Sequence, residues 1–406
     1  MFSNKKLSNR GIFLAIGVFA MLFSGVLYAW SILKAPFAAE FNFSSSSLAF
    51  NFTLTMCFFC IGVFVGSKLL KLIGTKLAII ISGVLCGLGF VLTGCVTGNI
   101  VYLYIFYAVL AGSGIGIAYN VVISTVSAWF PDKKGFCSGM LMMAFGASTL
   151  ILGNVIENFF NNESIGWSKT YIILGIVLAV VLVISGLLLK RPDESVQFPE
   201  AKATKKASTE NFETKDFTTK EMIKRFTFWR AFICLVCLTA VGNSVISFAK
   251  DLVLSVGAEN SLATTLVGVL SICNGLGRIL TGALFDAVGR RKTMLSANLI
   301  TIVAAGVTLL AVYLHSLPLC IVGLCFTGIS YGSCPTVVSA FTAAFYGPKY
   351  FPTNFSITNF NLIPASFIAT ASSSLLLSTG GYVAPFALLL GLSLFALVLN
   401  FSIKRP

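Results

Sequence analysis

One cation interrupts the apolar interior of this sequence. Arg278 stands about halfway along the hydrophobic run 262–285, with Leu276, Ile279 and Leu280 around it. A charge at the centre of a bilayer costs roughly 2.5–3.5 kcal/mol on insertion scales, so it persists only beside a partner or a wet cavity. No Asp or Glu occupies the core of any apolar run: Glu157 lies near the end of one and Asp286 at the mouth of another. Two accounts of Arg278 follow. It bonds to helix-end carbonyls, or it is a cation waiting for an anionic solute. The second is the functional expectation, because the planar guanidinium fork matches a carboxylate with two bonds. Asn274 lies one helical turn earlier on the same face. Its amide cannot titrate, so this pair offers no proton-carrying group.

Polar and aromatic residues in the other apolar runs are the candidate companions of Arg278. They are Tyr28 and Trp30, Tyr119 and Asn120, Asn243, and Tyr331 with Ser333. Asn354, Thr358 and Asn361 fall on one helical stripe. A tyrosine hydroxyl donates to an anion while its ring excludes water. The alternative is an interfacial aromatic belt or plain helix packing, which competes most strongly for Trp30, near the end of its run. Lys34 or Lys250 could supply a second charge, but both positions read as interfacial, where lysine snorkels.

Other chemistries find little support. Cys57 and Cys60, and Cys234 and Cys237, have redox-like spacing, but each pair lies within a hydrophobic run and reads as packing. One histidine, His315, makes a histidine-based metal site implausible. No nucleophile–base pair, metal cluster or phosphate loop is evident, so neither an enzyme nor a cofactor is expected.

The elements that must position these residues are membrane helices. The 406 residues are 57% hydrophobic and 10% charged, with mean hydropathy +0.92. A soluble domain carries about 25% charged residues, so soluble enzymes and nucleic-acid binders are close to excluded. Twelve runs are long enough to cross a bilayer: roughly 11–33, 48–69, 76–96, 101–129, 136–159, 170–189, 228–249, 262–285, 293–313, 318–344, 353–376 and 381–403. The start, Met1 to Arg10, reads as a basic leader into the first span and not as a cleavable signal. With both termini in the cytoplasm, 24 basic residues fall on the inner side and three on the outer. The net charge of +14 is therefore mostly a topology signal.

The charged stretch 190–226 reads as a cytoplasmic linker with a short surface helix around 218–226. It divides the chain into bundles at 1–189 and 227–406. The halves repeat at an offset near 216. Gly112-x-x-x-Gly116 matches Gly328-x-x-x-Gly332, Trp129–Lys133 matches Phe345–Lys349, and the loop Lys71–Lys76 matches Asp286–Lys292. Two six-helix halves with a solute site between them describe a secondary transporter.

Gly282-x-x-x-Asp286-x-x-Gly289-Arg290-Arg291-Lys292 resembles the signature loop of the major facilitator superfamily. Tyr28-Ala-Trp30-Ser, Gly112–Tyr119, Trp129-Phe-Pro-Asp-Lys-Lys-Gly135 and Asn274-Gly-Leu-Gly-Arg278 are similar to the oxalate:formate antiporter family, which is related to monocarboxylate transporters. The resemblance covers essentially the whole chain except the linker. It implies an all-α membrane fold of twelve helices in two pseudo-symmetric bundles, with Arg278 as the carboxylate-binding residue. In proton-coupled monocarboxylate transporters the position of Asn274 is an aspartate, so exchange or uniport is expected here. The oxalate antiporter carries a lysine at or beside Leu362, and this sequence has Asn361-Leu362-Ile363 instead. One buried cation balances one carboxylate, which favours a monocarboxylate such as lactate, pyruvate or formate over oxalate. An oxalate:formate-type dicarboxylate antiporter and a carrier of an unrelated drug or sugar are the alternatives. Asp286, Arg290 and Arg291, with Asp132 and Lys133 in the equivalent loop, are the expected gating residues. Plain topology charge is the competing account of them. The expected partners are the carboxylate and the lipid bilayer, with the chain acting as a monomer in the cell membrane and no nucleic acid bound.

Overall fold

The computed structural model describes residues 10–130, 134–192, 216–347 and 350–403. Lipid offers no hydrogen bonds to a bare backbone, so a chain that crosses it must satisfy its own amides in helices. The described residues accordingly form helices and no strand. Twelve are long and apolar enough to span a membrane. They are α1 Arg10–Phe41, α2 Ser45–Leu72, α3 Gly74–Thr93, α4 Ile100–Ser127, α5 Lys134–Phe160 and α6 Gly166–Leu188, then α7 Phe226–Ser255, α8 Asn260–Val288, α9 Arg290–Tyr313, α10 Leu317–Tyr346, α11 Thr353–Thr379 and α12 Val383–Ser402. They form two six-helix bundles. α1 is longer than its apolar run, because a second short helix, Ala35–Phe41, continues past Lys34.

The repeat has a physical counterpart in helix packing. A Cβ at Gly116 would stand 2.1 Å from the Phe59 carbonyl oxygen, and one at Gly332 would stand 2.0 Å from that of Asn274. One turn away, Gly112 faces Thr55 and Gly328 faces Leu270 in the same way. Thus α4 lies on α2, and α10 on α8, through glycine pairs that allow backbones to approach closely. The second contact fixes the backbone of the turn that carries Arg278.

Several helices break regularity along their length. Residues Gly25–Ala29 of α1 and Asn359–Asn361 of α11 tighten into 3₁₀ turns. Tyr104–Ala111 of α4 widens into a π-helix, and Phe248 kinks α7. Such departures are frequent at functional sites.

The end of the linker is built into the second bundle. Thr218 caps a short helix, Thr219–Ile223, reciprocally with Glu221. The Thr219 hydroxyl donates to Asn354 Oδ1 at 2.8 Å, and Asn354 Nδ2 donates to the Phe217 carbonyl at 2.9 Å. Asn354 therefore belongs to a structural latch, one of the two options for the α11 stripe.

The face opposite the linker is closed by contacts between the halves. Lys34 pairs with Asp251 at 2.6 Å and donates to the Ser247 carbonyl at 3.0 Å. Lys250 pairs with Glu157 at 2.5 Å, and Asn260 donates to the same carboxylate at 3.0 Å. This corrects the snorkelling expectation for both lysines: each is held by an acid of the other half. Thr53 of α2 adds a 2.7 Å bond to the Ser366 carbonyl of α11.

Candidate functional site

Arg278 is buried, at 2% exposure, and lies where the halves meet. Its Nε donates to Asn274 Oδ1 at 3.3 Å, along its own helix. Its other bonds cross to the first half: Nη1 to the Met142 carbonyl of α5 at 3.1 Å, and Nη2 to the Tyr28 hydroxyl at 3.4 Å. Tyr119 and Tyr331 also lie within electrostatic reach of the guanidinium. Among the described residues no carboxylate pairs with it. Both accounts of this residue thus have a share: one N–H is spent on a main-chain carbonyl, and no described acid answers the charge.

Tyr28, Tyr119 and Tyr331 line a narrow cleft. Pro335 and Val338 continue it along α10 toward the linker face, and Asn359, Asn361 and Leu362 bound it on α11. Aromatic edges fix the cage. Tyr28 meets Tyr331 edge-on at 5.8 Å and Phe145 at 5.2 Å, and Tyr119 meets Phe145 at 5.2 Å. Tyr28 lies within the 3₁₀ turn of α1. Tyr331 is held by its hydroxyl, which donates to Asn243 Oδ1 at 2.8 Å, and Asn243 Nδ2 donates in turn to Ser366 at 2.9 Å. Gly242 makes room for that ring, since a Cβ there would lie 2.2 Å from Tyr331 Cδ2.

The cleft therefore brings together Tyr28, Tyr119, Tyr331 and Asn361, with Arg278, Asn274 and Asn243 immediately behind them. Three other candidates stand apart. Trp30 is fully buried in the first bundle, where its Nε1 donates to the Leu48 carbonyl and its ring packs on Tyr107. Ser333 is spent on Thr281 and the Ile329 carbonyl. Asn120 accepts from Ser124 one turn on. Of the loop residues, Arg291 is exposed at the start of α9. Asp132 and Lys133 lie outside the described residues, as do the side chains of Asp286 and Arg290.

Thr239 and Phe59 also line the cleft, and neither was a sequence candidate. The signal for Thr239 was its place one turn before Asn243 on α7. Among the described residues no group of His, Cys, Asp and Glu is arranged to hold a metal, and the eleven cysteines are free thiols.

The sequence matches the Major Facilitator Superfamily over residues 12–254 and 232–406. It is 27% identical over 338 residues to "Uncharacterized MFS-type transporter YhjX" of Escherichia coli, covering 82% of this chain and 80% of that one. It is 26% identical over 289 residues to the oxalate:formate antiporter of Oxalobacter formigenes, covering 71% of this chain and 66% of that one. The solved structure of the proton:xylose symporter XylE with 6-bromo-6-deoxy-D-glucose shares the fold, with a TM-score of 0.71 at 12% identity over 99% of this chain and 97% of that one. Twelve spans, glycine-matched halves and a cleft between them fit these likenesses, and the chain belongs to the Major Facilitator Superfamily of multi-pass membrane transporters.

Proposed function

We propose that this transporter carries small monocarboxylates, by exchange or uniport. The observation that carries the reading is Arg278: a buried guanidinium with no acidic partner among the described residues, behind a tyrosine-lined cleft. A carboxylate replaces the long Tyr28 bond and gains two charge-assisted bonds in a site from which water is largely excluded. The relationship to an oxalate:formate antiporter supports an organic-anion substrate. A dicarboxylate needs a second cation, and the cleft offers Asn361 and Leu362 there. Lys34 and Lys250 are engaged with Asp251 and Glu157, which favours one negative charge over two. Asn274 beside Arg278 cannot carry a proton, which supports exchange or uniport over proton symport through this pair.

The halves 1–189 and 227–406 are the rocking bodies, joined by 190–226, and each chain is a complete working unit. With the basic linker face in the cytoplasm, the cleft faces inward and the ion pairs seal the outside. The loop charges Asp286, Arg290, Arg291, Asp132 and Lys133 would engage on the inner side when the cleft opens outward. No chemical conversion of the substrate is involved. Counterflow in proteoliposomes tests the reading. Arg278→Gln should abolish exchange of labelled monocarboxylate, and undiminished counterflow would remove the proposal.

A further inference from the structure

The cleft contains one polar atom that the fold leaves unanswered. Asn361 is 1% exposed, and its Nδ2 donates to Thr239 Oγ1 at 3.0 Å. Its Oδ1 is buried and has no hydrogen-bond partner. A buried carbonyl oxygen in that condition is destabilising, and the great majority of such groups are matched. With Nδ2 engaged by Thr239, Oδ1 is the free end of the amide. Asn361 and Thr239 both line the cleft that Tyr28, Tyr119 and Tyr331 share. Of the remaining lining residues, Phe59, Pro335, Val338 and Leu362 are apolar, and Asn359 stands two residues from Asn361.

We infer that Asn361 Oδ1 accepts a hydrogen bond from a hydroxyl on the substrate, so that the preferred solute is a 2-hydroxy monocarboxylate. The inference rests on the carboxylate reading of Arg278 and deepens it. The carboxylate is drawn to Arg278, and the adjacent hydroxyl points across the cleft to α11. A 2-oxo acid sets its carbonyl oxygen against that amide oxygen, acceptor facing acceptor. An unsubstituted acid leaves the oxygen unmatched, and a dianion such as oxalate brings negative charge to it. A site built to bond a hydroxyl discriminates strongly against analogues that lack one, because its own polar group is then left unpaired. The 3₁₀ turn Asn359–Asn361 places the side chain, and Thr239 orients it.

The test is competition of lactate, pyruvate and propionate against one labelled monocarboxylate, using the full-length protein in proteoliposomes. Lactate should compete about tenfold or more better than either of the others, a difference of about 1.4 kcal/mol. Asn361→Leu should bring the lactate-to-propionate ratio close to one. Thr239→Val removes the group that orients the amide, so the amide can turn its NH₂ to the cleft, and the ratio should shift toward pyruvate. Equal competition by all three acids in the wild type, with competition lost in Arg278→Gln, would overturn this inference and leave the carboxylate site standing. Competition by none of them would remove both. An unchanged lactate-to-pyruvate ratio in Thr239→Val would also overturn the role of the oriented amide, even if Asn361→Leu fails to fold.

Discussion

The contact of Gly332 with Asn274 gives the account its sharpest structural exposure. An alanine at 332 would put its Cβ 2.0 Å from the Asn274 carbonyl oxygen, 2.9 Å from the carbonyl carbon and 3.1 Å from Oδ1. Real Cβ atoms essentially never approach other heavy atoms closer than 3.0 Å, so α10 and α8 must part by at least about 1 Å. Overpacking of this kind costs about 1–3 kcal/mol. The displacement also moves Arg278 relative to Tyr331, and relative to Met142 and Tyr28, whose bonds at 3.1 and 3.4 Å have little slack. A misplacement of about 1 Å at a tuned site lowers its performance by up to about 100-fold. Gly175→Ala is the matched control, because its Cβ meets the Gly87 carbonyl oxygen at 2.7 Å between α6 and α3, which do not line the cleft. Thermal unfolding of the purified proteins should fall in both variants, whereas carboxylate affinity by equilibrium binding should collapse only in Gly332→Ala. A folded Gly332→Ala protein that binds like wild type would refute the argument that this contact positions Arg278.

Other consequences concern the gate, the cage and the coupling. Glu157→Gln leaves Lys250 without its counter-charge in a site only 9% exposed. It should loosen the outer closure by about 3–5 kcal/mol. Asp251→Asn removes a partner that is 49% exposed and should shift the closure by only about 0.2–1 kcal/mol. Accessibility of a cysteine placed at Ser46, whose hydroxyl meets Ser374 across the halves, reads both effects, and a larger change in the Asp251 variant would contradict the ranking. Tyr331→Phe orphans the buried Asn243 Oδ1 and should cost about 1–3 kcal/mol of stability in a thermal melt. Asn274→Asp places a carboxylate 3.3 Å from Arg278 Nε, where it competes with substrate while ionised. Carboxylate binding in that variant should be weak throughout the neutral range, because the arginine holds the aspartate ionised. Binding equal to wild type would show that the two side chains are not coupled.

Arg278 was legible because a charge in an apolar run has no bland surroundings to hide in, and Asn274 because a helix repeats its face every turn. The halves were legible in the glycines, whose spacing records the α4–α2 and α10–α8 contacts. The outer closure was not. Glu157 and Lys250 are 93 residues apart, and Lys34 and Asp251 are 217 apart. A lysine near a span end looks the same whether it reaches for water or for an acid on another helix. Thr239 was missed because hydroxyls in membrane helices usually bond their own backbone, and its partner Asn361 is 122 residues away. Trp30 shows the remaining limit. Lipid-facing and core-facing sides of a membrane helix are both apolar, so periodicity alone does not say which way a ring points.

The central claim is that one buried guanidinium recognises one carboxylate. Its most direct measurement is calorimetric titration of the purified protein with a small monocarboxylate and with the neutral amide of the same acid. The amide keeps the size and shape, removes the charge and turns one acceptor oxygen into an NH₂ donor. The account predicts saturable binding of the anion and at least about 100-fold weaker binding of the amide, since a charged pair in a dry site contributes about 3 kcal/mol. Equal affinities would contradict it.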